Sequence, residues 1–180
     1  PHFESPARLA RLLEALRHTT LPPEQVEVVV ADDGSATPPD LPADHPLALH
    51  LVRQEDRGFR AAAARNLGAA AARGQVLVFL DGDMLPEPAC LERLARAASA
   101  PHPTLVVGRR RHHAVDGWTP EQVAAWLEGS GPAPAELEDP AWLADGYRWT
   151  DDLRSADDAS FRYVISAVMA LPREAFTALG

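Results

Sequence analysis

Two acidic turns carry the residues of this chain that are best suited to chemistry. The first, Asp32–Ser35 (DDGS), follows the β-branched run Val26–Ala31, and the second, Asp81–Asp83 (DGD), follows Val76–Leu80. Isolated buried charges are costly, so carboxylates here are not packing residues. Two carboxylates separated by one residue offer hard oxygen ligands, which suit Mg2+ or Mn2+ shared with a diphosphate. A solvated turn is the alternative for either cluster alone, because Asp and Gly are ordinary turn residues.

Alternating strands and helices are expected to position both turns at one edge of a sheet. The sequence predicts strands over 26–31, 47–52, 76–80, 104–108 and 163–171. It predicts helices that begin at Pro6 and near Pro120, and helices over 60–73, 88–98 and 172–179. This order predicts an α/β fold with an open, mostly parallel sheet and helices on both faces. In such sheets, ligands bind outside the carboxyl ends of the strands.

Composition excludes several classes of protein. A length of 180 residues is that of one domain, and a net charge of -9 argues against a nucleic-acid partner. Cys90 is the only cysteine, which excludes an internal disulfide framework. No apolar run reaches the roughly 18 residues of a membrane span. We therefore expect a cytoplasmic protein, either unattached or peripheral at the inner face of the membrane. The use of Arg without Lys indicates a GC-rich, bacterial genome.

Five segments of the chain form an ordered set: Pro1–Glu4 (PHFE), Val28–Ser35 (VVVADDGS), Gly58–Gly68 (ending ARNLG), Val78–Asp83 (VFLDGD) and Tyr163–Phe176. Taken together, these segments resemble glycosyltransferase family 2. They occur in the family's order and at plausible spacing, over about residues 1–90 and 160–180. The resemblance implies the GT-A fold, a Rossmann-like α/β architecture, and transfer of a sugar from a nucleotide-sugar.

The resemblance also assigns roles to individual residues. It implies that Asp33, together with Asp32, holds the uracil or ribose, and that Arg65 lies by the base or diphosphate. Asp81 would contact the ribose or the metal, and Asp83 would ligate the Mn2+ or Mg2+ that bridges the diphosphate. Such cations neutralise charge on a departing nucleoside diphosphate. The residues expected to bind the nucleotide-sugar are Pro1, Phe3, Glu4, Asp32, Asp33, Arg65, Asp81 and Gly82.

The family pattern further implies that these residues belong to a longer enzyme. The family's first strand would precede Pro1, and a segment with a catalytic carboxylate would follow Gly180. We therefore expect residues 1–180 to form a single GT-A domain without its first strand and without its acceptor-side segment. Weaker candidates for the base within the chain are Asp151, Asp152, Asp157 and Asp158.

The expected activity is metal-dependent, inverting transfer of a hexosyl or N-acetylhexosaminyl group, with a UDP-sugar as the expected donor. The acceptor hydroxyl could belong to a saccharide, a lipid-linked molecule or a protein. Two alternatives stay open: a nucleotidyltransferase, although no Gly-rich basic phosphate loop is found, and a nucleotide-sugar-binding module without catalysis. Four Trp residues within 118–149 could stack on sugar rings or pack in the core, and the spacing of Trp126 from Val123 favours the core.

Overall fold

The computed structural model describes residues 1–100, 105–155, 162 and 164–179. The helices are α1 Pro6–Arg17, α2 Ala61–Ala71, α3 Cys90–Ala98, α4 Pro120–Leu127, α5 Ala141–Trp149 and α6 Arg173–Leu179. The strands are β1 Glu27–Asp32, β2 Ala48–Arg53, β3 Val76–Leu80, β4 Val106–Val107, β5 His112–His113, β6 Glu136–Leu137 and β7 Val168–Pro172. In the part of the chain so described, no helix is long and apolar enough to span a bilayer.

The strands form three small sheets, which corrects the expectation of one mostly parallel sheet. β1 and β2 pair in parallel, whereas β7 lies antiparallel between β3 and β4, and β5 pairs antiparallel with β6. The facing edges of β1 and β3 are not paired with each other among the described residues, and both strands line a groove of about 730 Å3. Because β3 and β4 are both antiparallel to β7, their carboxyl ends lie at the same end of that sheet.

Helices cover both faces of β1, as the sequence predicts. Val30 belongs to a buried cluster with four leucines of α1, at the i, i+3, i+4, i+7 spacing that marks one helix face: Leu9, Leu12, Leu13 and Leu16. On the opposite face, a methyl group added at Gly68 of α2 would lie 3.3 Å from Cβ of Ala31. Gly68 therefore allows α2 to pack closely on the strand that ends in the first acidic turn.

The strand before the second acidic turn, β3, is also covered by helices on both faces. Leu77 and Phe79 of β3 pack toward α2 and α6, where the rings of Phe79 and Phe176 lie 5.3 Å apart. The alternate residues Val78 and Leu80 pack toward α3. Successive side chains of a strand point to opposite faces, so both faces of β3 are used to fix its position.

The residues predicted to begin helices α1 and α4 are confirmed, whereas one helix and one strand pair were not predicted. α1 begins after Ser5 with Pro6 in its first turn, and Thr119 and Gln122 form the capping box of α4. The strand expected over 163–171 is β7, which begins at Val168. Helix α5 and the β5–β6 pair lie in the region 109–150, for which the sequence predicts only a helix near Pro120 and a loop over 129–140.

Candidate active site

The segment Pro1–Glu4 lies against the first acidic turn. His2 pairs in parallel with Asp32: its N–H donates to the Ala31 carbonyl oxygen at 2.8 Å, and its own carbonyl accepts from the Asp33 N–H at 2.8 Å. Burial lowers the pKa of the His2 imidazole, although the nearby Asp32 carboxylate opposes the shift. His2 thus occupies one rung on the β1 edge that faces away from β2.

Glu4 ties the same segment to the turn from the other side. Its N–H donates to Ser35 Oγ at 2.9 Å, and its carboxylate accepts from the Ala36 N–H at 2.5 Å. Glu4 has a φ of +46°, a left-handed conformation that costs strain in a non-glycine residue and persists only where surrounding contacts hold it. Phe3, between these anchors, is half exposed. Glu4 therefore contributes to the shape of the turn.

Asp32 is completely buried and its carboxylate is bound within the chain. It accepts from the Ser35 hydroxyl at 2.5 Å and from the Ser35 N–H at 3.2 Å, and it pairs with Arg53 Nε at 3.1 Å. Arg53 also donates to the Ser35 carbonyl oxygen. A buried charge requires a partner and hydrogen bonds, and Asp32 has both. Its surroundings fit a residue that builds the turn.

Asp33 is also nearly buried, and both of its carboxylate oxygens accept hydrogen bonds. Gln54 donates its side-chain amide to one oxygen, and the Arg60 N–H donates to the other at 2.8 Å. The turn and the loop after β2 are therefore joined through Asp33. A pocket of about 590 Å3 lies beside them, lined by Glu4, 34–36 and 53–56.

At the second turn, Asp81 forms an ion pair with Arg65 of α2. The Arg65 side chain is mostly buried, and its Nε has no hydrogen-bond partner in the described parts of the chain. The Asp81 N–H donates to the Ala167 carbonyl oxygen at 3.0 Å, which fixes the turn to the segment before β7. The pair thus presents a guanidinium and a carboxylate together at the carboxyl end of β3.

Asp83 is the exposed carboxylate of the two turns. Just over half of its side chain is accessible, and its contact with the half-exposed Arg8 of α1 is 4.0 Å long. No cluster of three or more metal-ligating side chains occurs in the ranges that the structure describes. Mg2+ is commonly bound by one or two carboxylates plus substrate phosphates, so the accessible Asp83 carboxylate, with or without Asp81, is enough for that mode.

The two turns approach each other through Pro1. A methyl group added at Gly82 would lie 3.6 Å from the Pro1 carbonyl oxygen, and the next residue, His2, is bonded to the first turn. Pro1, Glu4, Asp32 and Asp33 therefore form one connected group, which meets the second turn at Gly82. The sequence did not identify Arg53 and Gln54 as partners of the Asp32 and Asp33 carboxylates, because both come from the end of a different strand.

Of the four candidate catalytic bases, Asp151 and Asp152 lie among the residues that the structure describes. Asp152 pairs with Arg109 at 3.0 Å, and the Arg109 guanidinium lies 4.7 Å from the centre of the Tyr147 ring. Asp151 is exposed, with Arg154 at 3.9 Å. Both aspartates have positive φ, 46° and 55°, after the end of α5. The other two candidates, Asp157 and Asp158, lie outside the described residues.

Comparisons with known proteins bear on this arrangement. Validoxylamine A glucosyltransferase of Streptomyces hygroscopicus subsp. limoneus is 40% identical over 110 residues, covering 59% of this chain and 24% of that protein. Chondroitin synthase of Pasteurella multocida (strain Pm70) is 29% identical over 86% of this chain and 17% of its own. Hyaluronan synthase of Pasteurella multocida is 27% identical over 96% and 19%. The chain thus spans about a quarter or less of the length of these relatives.

The fold and the family follow from two further comparisons. The crystal structure of S. aureus TarS 1–349 matches with a TM-score of 0.50 and 22% identity, covering 61% of this chain and 36% of that one. This likeness concerns the fold and supports the GT-A type expected from the sequence. The family model described as "Glycosyl transferase family 2" matches residues 1–165, which confirms the resemblance. The chain belongs to glycosyl transferase family 2.

Proposed function

We propose that this chain binds the donor in an enzyme that transfers a sugar from a nucleotide-sugar, with UDP as its nucleotide, to a saccharide hydroxyl. The family supports sugar transfer, and the relatives include a glucosyltransferase and synthases of chondroitin and hyaluronan. The observation that carries the proposal is the second turn, where Arg65 and Asp81 form a pair beside the exposed Asp83. Anion-binding and cation-binding groups meet there at one strand end.

Donor binding is divided between the two turns. The first turn is held by Arg53 and Gln54 and lines one side of a pocket, and this pocket would receive the base and ribose. Arg65, whose guanidinium pairs with Asp81 at the end of β3, would donate to the diphosphate. Asp83, with Asp81, would hold Mg2+ or Mn2+. When bound, the metal would supply positive charge that stabilises the leaving diphosphate.

The proposed transfer is a single displacement with inversion. The acceptor hydroxyl oxygen forms a bond to the anomeric carbon while the bond from that carbon to the diphosphate oxygen breaks. A carboxylate base takes the hydroxyl proton, and Arg65 stabilises the negative charge that develops on the departing diphosphate. The chain's own contribution is to orient the donor and to hold a cation where charge develops.

A donor panel tests the proposal. The enzyme that contains this chain is incubated with UDP-, GDP- and dTDP-linked hexoses and N-acetylhexosamines, Mn2+ and an oligosaccharide acceptor, and nucleoside diphosphate release is measured. We expect UDP release that depends on the acceptor and is lost in Asp83→Ala but retained in the surface control Arg96→Ala, on α3. Absence of acceptor-dependent release with every donor would contradict the proposal.

A further inference from the structure

Helix α5 exposes two tryptophans on one face. Trp142 is 49% exposed and Trp149 is 71% exposed, whereas Leu143 and Tyr147 of the same helix are buried. Seven residues make nearly two turns, so the two indoles share a face and lie about 10 Å apart along the axis. Trp118 and Trp126, in contrast, pack edge to face with centroids 6.3 Å apart. Only the α5 pair, among the four, is left without an aromatic partner in the described chain.

The chemistry of this face suits a polyhydroxylated ring. Indoles provide large, rigid apolar surfaces with one N–H donor, and such side chains are unusual when exposed. Asp145 and Arg148, on the same helix, form an ion pair at 3.1 Å, so these two charges offset each other. A pyranose ring presents a flat C–H face and a rim of hydroxyls, which match the indoles and the ion pair respectively. The ion pair itself therefore supplies no net positive charge that would select an acidic saccharide.

Helix α5 is attached to the residues that follow β4. The Tyr147 hydroxyl accepts from the Arg110 N–H at 2.9 Å and donates to the Arg110 carbonyl oxygen at 3.1 Å. Arg109 contacts Asp152, just beyond the helix, at 3.0 Å. The carboxyl end of α5, which carries Trp149, is therefore attached to the residues that follow β4.

Those residues and the second acidic turn lie on opposite sides of the start of β7. The Gly108 N–H donates to the Val168 carbonyl oxygen at 2.9 Å, and the Asp81 N–H donates to the Ala167 carbonyl oxygen at 3.0 Å. The ends of β4 and β3 thus lie on either side of the start of β7. The Trp149 end of α5 is therefore the end that is attached to this sheet.

We propose that Trp142 and Trp149 form a platform for an oligosaccharide acceptor, with the end that receives the new sugar on the Trp149 side. This inference rests on the proposed function and specifies its acceptor as a neutral saccharide chain. Because the indoles are about 10 Å apart, one monosaccharide cannot contact both, and an oligosaccharide can. Affinity therefore increases with chain length, and Trp142 matters only for the longer chains.

Direct binding tests the platform without requiring turnover. Tryptophan fluorescence and calorimetry are recorded while the protein is titrated with glucose and with cello-, malto- and chitohexaose. At least one hexasaccharide should bind more tightly than glucose, and Trp142→Ala or Trp149→Ala should weaken it roughly threefold to tenfold, the range of one aromatic contact. The matched control is Phe59→Ala, which removes another exposed aromatic side chain and should leave binding unchanged.

UDP binding, measured in the same samples, separates the two proposals. Normal UDP affinity with weakened hexasaccharide binding in the Trp variants supports the platform. If the wild-type protein binds UDP but no hexasaccharide, or if Phe59→Ala weakens hexasaccharide binding as much as Trp149→Ala does, the platform is wrong. Hexasaccharide binding at the tryptophans without UDP binding would leave the platform standing and overturn the donor function. Self-association lost in both Trp variants would assign the face to a second copy and also overturn the platform.

Discussion

The two acidic turns look alike in the sequence and differ in the structure. After β1, Asp32 and Asp33 are buried, and their carboxylates are bound by Ser35, Arg53, Gln54 and the Arg60 N–H. After β3, Asp81 is partly exposed beside Arg65, and Asp83 is more than half exposed. The first turn has few carboxylate lone pairs left for a ligand, whereas the second has many.

The difference shows that a carboxylate after a strand can either stabilise the turn or remain accessible to a ligand. At the first turn, the Asp32 and Asp33 carboxylates join the turn to β2 and to the loop after it. Backbone hydrogen bonds of His2 and Glu4 join Pro1–Glu4 to the same turn. That network positions backbone and neighbouring side chains around the 590 Å3 pocket. At the second turn, one long contact to Arg8 leaves Asp83 available to a cation. The comparison separates carboxylates that are bound within the chain from carboxylates that are still accessible to a ligand.

The largest expected effect comes from breaking the structural network at Arg53. Arg53→Met leaves the buried Asp32 carboxylate without its cation, and uncompensated buried charges are strongly destabilising. Because Arg53 is 39% exposed, the loss is smaller than for a pair buried on both sides, and we expect the free energy of unfolding to fall by about 2 kcal/mol. Urea denaturation followed by circular dichroism measures the change.

The control replaces a similar ion pair on the surface. Arg57 pairs with Glu55, both being largely exposed, so Arg57→Met should change the unfolding free energy by less than about 1 kcal/mol. Equal losses in the Arg53 and Arg57 variants would show that the Asp32 network does not stabilise the first turn.

A smaller change in stability is expected when the pH is varied, because His2 lies against the same turn. Burial lowers the pKa of His2 below its ordinary value of 6.5, so the unfolded chain binds more protons than the folded one between the two values. Stability contributed by neutral His2 is therefore present above pH 6.5 and is lost as the pH falls toward the folded-state pKa. Thermal unfolding from pH 8 to pH 5 should show this slope, and His2→Gln should reduce it. An identical slope in the variant would contradict the role of His2.

Local signals allowed much of the fold to be predicted. Periodic leucines gave α1, β-branched runs gave β1 and β3, and the capping box gave α4, because each depends on neighbouring residues only. Sheet pairing could not be predicted in the same way. β7 lies between β3 and β4 through contacts distant in sequence, and no local pattern reports its antiparallel direction.

The sequence predicts which carboxylates lie at the strand ends, but it does not predict how each of them is bound. The strand ends indicate that Asp32, Asp33, Asp81 and Asp83 come near one edge, but not which of them are bound internally. That depends on Arg53 and Gln54, which reach the first turn from β2 and the residue after it. Their partners are set by the register of β1 against β2, in which Asp32 lies opposite Arg53. A register prediction would have been needed to identify them.

The central claim is that the second turn binds the donor through Asp83. The most direct measurement is calorimetric titration of UDP with Mn2+ into Asp83→Asn and into the wild-type protein. Asp83 is more than half exposed, so the variant should unfold at nearly the same temperature. We predict that its affinity for UDP in the presence of Mn2+ falls at least roughly tenfold, the loss of one charge-assisted contact. Unchanged affinity in a variant of unchanged stability would contradict the account.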